Sequence, residues 1–285
     1  MNSFKISKLK DSAFKVFAVF CTSVGLIVLV VLLAVIGLEG LPRINGDFLT
    51  NLPSRLPSKA GIYTALWGMV WVLVLTVLIS FPIGIGAGIY LQEYGRKNFL
   101  TNIIEVNISN LAGVPSIIYG ILGLELFGRL LGFGNSILTG SLTLSLLILP
   151  LIIVSTREAI KAVPKSLREA SYGLGATKWQ TVWNVVLPSA FGSIITGLIL
   201  AISRAIGETA PLIVIGALVY VPFVPSGPMD EFTVLPIQIF NWVTRPQAGF
   251  VTNAAAAIVI LLLFTFALNL IAVVLRNRFN KRTKY

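Results

Sequence analysis

An arginine and a glutamate stand four positions apart in the largely apolar run SRAIGETAPL, Ser203 to Leu212. On a helix that spacing puts Arg204 and Glu208 on one face, close enough to pair. A guanidinium offers paired N–H donors that match a tetrahedral oxyanion, a fit a lysine ammonium does not reproduce. Gly207 and Pro211 flank the glutamate and loosen a helix there, freeing backbone groups. Two chemistries are open. The pair can neutralise itself and pin two helices together. Alternatively, Arg204 faces a pathway and helps an anion cross, with Glu208 holding its side chain or gating.

A second polar stretch, PKSLREASYGLGATKWQTVWNVVLP from Pro164 to Pro188, lies between two long apolar runs and carries Lys165, Arg168, Glu169 and Lys178. Lys165 to Ser171 has the pattern of a short amphipathic helix, and Gly173 and Gly175 permit a turn. Ala176 to Val186 has the pattern of a second helix, and Pro188 starts or tilts the next span. Glu169, Tyr172 and Trp179 are available to a partner with a groove. The same composition suits an interfacial hairpin that merely connects two spans.

Other chemistries are excluded by missing residues. The chain has no histidine, which removes His-based zinc sites, Ser–His–Asp triads and histidine proton relays. Its single cysteine, Cys21, permits no intrachain disulfide. No Gly-Lys dipeptide occurs, so there is no phosphate-binding loop for ATP, and no Gly-x-Ser-x-Gly elbow marks a nucleophile. The chain is not expected to be an enzyme, to hold a metal or to hydrolyse ATP.

The elements that position these residues are membrane spans. Hydrophobic residues make up 56% of the 285 positions and charged ones 12%, with a mean hydropathy of +0.90; a soluble domain carries about 25% charge. Apolar runs predict six transmembrane helices, at 16–38, 62–91, 103–127, 136–155, 191–221 and 251–275, in one all-α domain. The first run is too long for a signal-peptide core and lacks a clear cleavage site, so it reads as an uncleaved span. Pro115 breaks the third span locally, and the fifth is interrupted at Arg204 to Pro211. Arg204 lies about 20 Å into that fifth span at 1.5 Å per residue. At that depth a charge costs at least about 2.5–3.5 kcal/mol. GIGAG, Gly84 to Gly88, reads as a close-packing face or as a gating kink, and TVLPIQIFNWVTRPQ (233–247) as strand-like or re-entrant.

The net charge of +11 follows the spans rather than forming a nucleic-acid patch. Lys5, Lys8, Lys10, Lys15, Arg96, Lys97, the basic residues of 157–190 and those of the tail total sixteen on one side. Arg43, Arg55, Lys59, Arg129 and Arg245 lie on the other. The asymmetry predicts that both termini and the 157–190 segment are cytoplasmic.

Glu169-Ala170-Ser171, then Gly175 and finally Val185-x-Leu187-Pro188, resembles the EAA loop of ABC-importer permeases. Ser171 replaces the usual second alanine and Val185 the usual isoleucine. Together with AGVPSIIYGILGL (112–124), SRAIGETAPL and LPIQIFNW (235–242), the chain looks like the permease subunits of phosphate ABC importers. That resemblance implies a type I, MetI-like permease fold in a prokaryotic plasma (inner) membrane. It implies that Glu169, Ala170, Ser171, Gly175, Leu187 and Pro188 couple to an ATPase, and that Arg204 and Glu208 match intramembrane charges of the family. The implied partners are a second permease resembling PstC, an ATPase dimer that binds ATP and Mg, an extracytoplasmic phosphate-binding protein, and membrane lipid. The implied function is the permease subunit of an ATP-driven phosphate importer. Sulfate, molybdate or phosphonate import, or a phosphate-sensing membrane scaffold, remain alternatives.

Overall fold

Inside hydrocarbon, backbone groups must be satisfied within a segment, so the long apolar runs close on themselves as helices. The computed structural model describes residues 2–96, 98–217 and 220–282. Among these, α1 (Asn2–Gly40), α3 (Tyr63–Ile89), α6 (Ile137–Lys161), α9 (Leu187–Gly207) and α12 (Ala248–Arg282) carry the long apolar segments. Shorter helices lie between them: α2 (Gly46–Thr50), α4 (Phe99–Leu111), α5 (Ser116–Gly123), α7 (Lys165–Gly173), α8 (Lys178–Thr181), α10 (Ala210–Ile215) and α11 (Leu235–Val243). Five segments are long and apolar enough to cross a membrane, and the bent pair α4–α5 makes a sixth if it is one span.

The expected third span, 103–127, is not a straight helix. The chain turns by 103° between α4 and α5. Pro115 has no N–H to give to the carbonyl of Leu111, four residues back. Instead Val114 N donates to that carbonyl at 3.1 Å and the Tyr119 hydroxyl at 2.8 Å. The Leu111 carbonyl thus accepts two bonds in place of the helical one that Pro115 cannot give.

The expected fifth span, 191–221, is also corrected. α9 begins earlier, at Leu187, and ends at Gly207, while α10 is a separate short helix. The 233–247 stretch contains a buried helix rather than a strand: α11 places Leu235, Ile237, Gln238 and Trp242 in the interior. The nearest thing to a strand among the described residues is one isolated antiparallel bridge, Ser136 with Glu231.

The core is centred on α3 and α6. Their seam uses small and hydroxylated residues: a Cβ on Gly84 would lie 2.6 Å from Ile152, and one on Gly88 2.7 Å from Thr156. Thr76 donates to the Ser141 carbonyl at 3.3 Å, and Ser145 to the Thr76 carbonyl at 3.3 Å. GIGAG is therefore a packing face. α9 leans on α6 where Gly197 meets Ser155, and α1 packs against α12 while leaving its apolar surface open. On the far side, Arg43 donates to Asn253 Oδ1 and to the carbonyls of Pro57, Ser58 and Ala60, fastening the first long loop to α12.

Candidate functional site

The helical segment Lys178–Gly207, which includes α9, joins the two candidate regions, one at each end. Leu187 opens α9 and Arg204 lies in its last turn, a separation of about 26 Å at 1.5 Å per residue.

At the far end, peptide dipoles converge on the helix C-terminus and favour a cation there. Arg204 Nε donates to Glu208 Oε1 at 3.2 Å. The four-residue spacing holds, yet Glu208 is already outside the helix, with extended backbone at φ −77° and ψ 112°. Two residues later α10 begins, with Pro211 in its first turn. The break is clamped from one side, because a Cβ on Gly120 of α5 would come within 2.7 Å of Pro211. Arg204 keeps 34% of its side chain exposed and Glu208 18%.

The space beside Glu208 is apolar, walled by Met69, Leu73, Leu144, Ile206 and Leu212, and holds about 10 Å³. That is room for one water at most, since a water needs roughly 10–15 Å³. A tetrahedral oxyanion does not fit there. The ion pair meets open space on its exposed side.

At the near end, α7 and α8 form a helical hairpin. Gly175, at φ +82°, adopts the left-handed conformation that ends α7. Gly175 N donates to the Tyr172 carbonyl at 2.9 Å and Ala176 N to that of Ser171 at 3.2 Å. These two bonds satisfy the last carbonyls of the helix. Thr177 then caps α8 in a reciprocal box with Gln180. Ser171 and Thr181 share a hydroxyl bond at 2.9 Å, which ties the two arms.

Glu169 and Ala170 are exposed on α7, and Glu169 has no ion pair among the described residues. Leu174 at the tip is 91% exposed. Trp179 and Trp183 stack at 5.5 Å between ring centres and remain exposed. Leu187 packs against a small cluster containing Ile160, Val163, Val186 and Ala190, and Pro188 is exposed in the first turn of α9. An apolar tip, an unpaired carboxylate and a tryptophan ledge form a surface suited to a partner's groove.

Two contacts here could not be anticipated from the sequence. Arg168 Nη2 donates to Glu93 Oε1 at 2.9 Å and to the Ile160 carbonyl at 2.8 Å. Lys178 lies 4.9 Å over the Tyr94 ring. Both join the hairpin to the turn after α3, and no local pattern relates residues so far apart in sequence.

Residues 82–285 match the family described as binding-protein-dependent transport system inner membrane component. The chain belongs to this family. Its relatives include a probable ABC transporter permease protein, YqgI, of Bacillus subtilis, 34% identical over 87% of this chain and 89% of that one. The phosphate transport system permease protein PstA 1 of Mycobacterium tuberculosis is 33% identical over 94% of this chain and 89% of that protein. Among solved structures, an inward-facing methionine ABC transporter, MetNI, aligns with a TM-score of 0.61 over 76% of this chain and 97% of that one, at 18% identity. The fold is thus that of MetI-like importer permeases, and the membership makes the chain a transport component of a bacterial inner membrane.

Proposed function

We propose that the chain is the permease subunit of an ATP-driven phosphate importer. The observation that carries this is the Arg204–Glu208 pair, partly exposed at the broken end of α9, in a chain similar over 94% of its length to a phosphate permease. A guanidinium held by one carboxylate oxygen keeps further N–H donors for an incoming oxyanion. Because the space beside Glu208 is too small for the anion, the path runs along the exposed side of Arg204 and is completed by a second permease resembling PstC.

In this reading the α7–α8 hairpin docks into a cytoplasmic ATPase dimer, with Glu169, Ala170, Ser171, Gly175, Leu187 and Pro188 forming or shaping the contact. The dimer binds ATP and Mg. An extracytoplasmic phosphate-binding protein delivers the anion from the opposite face. The distribution of basic residues supports cytoplasmic termini by the positive-inside rule. Closure of the ATPase moves the hairpin, and the site at Arg204 is exposed alternately to the two sides.

The test is radiolabelled phosphate uptake in phosphate-starved cells lacking and then regaining this chain, with excess sulfate as competitor. Restored uptake that sulfate leaves untouched supports the proposal. No restoration, with sulfate, molybdate or phosphonate carried instead, would retain the permease and discard phosphate.

A further inference from the structure

The second arm of the coupling hairpin continues into α9 and buries Thr181, Val182 and Val186, whereas the first arm has a weak apolar grip on the rest of the molecule. α7 contains no buried residue. α7 leans on α8 and the helical segment that follows it, and polar contacts add to that hold, most of them from one side chain. Arg168 points inward from α7, with 16% of its side chain exposed. It donates to the carbonyls of Ile160 and Val163 at the end of α6, and to Glu93 in the π-helical turn after α3. Glu93 is 9% exposed.

The three acceptors suit a guanidinium. The carbonyls at a helix C-terminus carry partial negative charge and lack helical partners. Glu93 adds a full charge within hydrogen-bond reach, and a planar fork with several donors can serve all three. Beyond them, α3 and α6 are joined by the small-residue seam and its hydroxyl bonds, so they behave as one unit.

We infer that Arg168 is a positioning residue for coupling: together with Glu93 it fastens the hairpin to the α3–α6 pair, so that movement imposed on α7 is delivered to that pair. The proposal rests on the permease reading above but not on the identity of the anion. Force then reaches Arg204 from the flank, through α6 and its contact with α9 at Gly197 and Ser155, as well as along α9 itself. Arg168 faces away from the exposed docking surface, so its removal separates attachment of the ATPase from transmission of its motion.

The experiment uses the complete transporter in lipid vesicles and compares phosphate moved per ATP hydrolysed. For Arg168→Met the expected result is normal co-purification of the ATPase with a fall of roughly tenfold in that ratio, within the range seen when coupling residues are altered. Adding Glu93→Gln to Arg168→Met should recover part of the loss, because the first change leaves a buried carboxylate uncompensated. Arg168→Lys should lie between wild type and Arg168→Met. A wild-type ratio in Arg168→Met overturns the inference.

A second measurement does not depend on a variant that must fold without Arg168. Spin labels at Ser166 on α7 and Arg96 beyond α3 are both exposed, and replacing the exposed Cys21 by serine removes the competing thiol. The inter-label distance should be the same in nucleotide-free and ATP-trapped transporter. A shift between the two states in a sample that hydrolyses ATP shows α7 moving independently of α3 and overturns the inference. Failure of the permease reading looks different, because wild type would then retain no ATPase and drive no uptake of any anion.

Discussion

Three glycines in one helical turn and a half should respond in opposite directions to the same substitution. In GIGAG, a Cβ on Gly84 would lie 2.6 Å from the Cγ2 of Ile152, and one on Gly88 2.7 Å from the Cβ of Thr156 and 3.0 Å from the Ile153 carbonyl. Gly86 has nothing within 4 Å. The obstructing atoms belong to branched side chains near the backbone, or to the backbone itself, and cannot swing aside. Overpacking of this kind costs about 1–3 kcal/mol. Alanine also stabilises a helix interior by roughly 0.5–1 kcal/mol relative to glycine. Gly84→Ala and Gly88→Ala should therefore destabilise by up to about 2.5 kcal/mol, with Gly86→Ala neutral or stabilising by up to ~1 kcal/mol. The assay is the apparent unfolding temperature of the detergent-solubilised protein, followed by loss of the monodisperse chromatographic peak. Equal damage from all three variants, or none from any, would refute the claim that α3 and α6 meet through Gly84 and Gly88.

Other predictions concern the α7–α8 hairpin and the loop before α11. Glu169→Lys reverses the unpaired charge on the face proposed to dock, so co-purification of the ATPase should fall while the permease still inserts; a full yield of complex would contradict the docking surface. Gly175→Val forces a branched residue to φ +82°, so α7 should lose its C-terminal cap, read as faster proteolysis at the hairpin tip; unchanged cleavage would count against that cap. Asp230 accepts bonds from the backbone N–H groups of Ser226 and Gly227 and from the Ser226 hydroxyl, which hold its carboxyl below the usual range. Its folded value is lower than its unfolded one, so the turn is fully supported above the ordinary aspartate range. That support is lost as pH falls through the lowered value. Carboxyl titration by NMR should give a midpoint below that of a model aspartyl peptide, and an ordinary midpoint would remove the capping role.

Much of the architecture was legible because hydrocarbon imposes length and hydropathy on each span. The runs that became α1, α3, α6, α9 and α12 are recognisable without any knowledge of their neighbours. Pro115 signalled a broken backbone, since its missing N–H is a local fact. The 103° bend was not legible, because it depends on the Tyr119 hydroxyl reaching the Leu111 carbonyl and on α5 meeting α10 at Gly120 and Pro211. The 235–243 run was ambiguous for a related reason: a short apolar stretch fits a strand or a buried helix equally well by periodicity. Spacing was enough to pair Arg204 with Glu208. That Glu208 lies beyond the helix end was not, although Gly207 and Pro211 hinted at a break. Arg168 and Glu93 were visible as charges but not as partners, since 75 positions separate them and only the approach of α7 to the turn after α3 unites them.

The central claim is that the anion passes Arg204, and the direct measurement is ATP-driven phosphate uptake by reconstituted transporter carrying Arg204→Ala. Uptake should fall to the background of vesicles without permease, with subunit assembly and ATPase binding retained and Arg204→Lys recovering little. Uptake near the wild-type rate in an assembled Arg204→Ala complex would mean that the pair only holds the broken end of α9 together, and the pathway would have to be sought elsewhere.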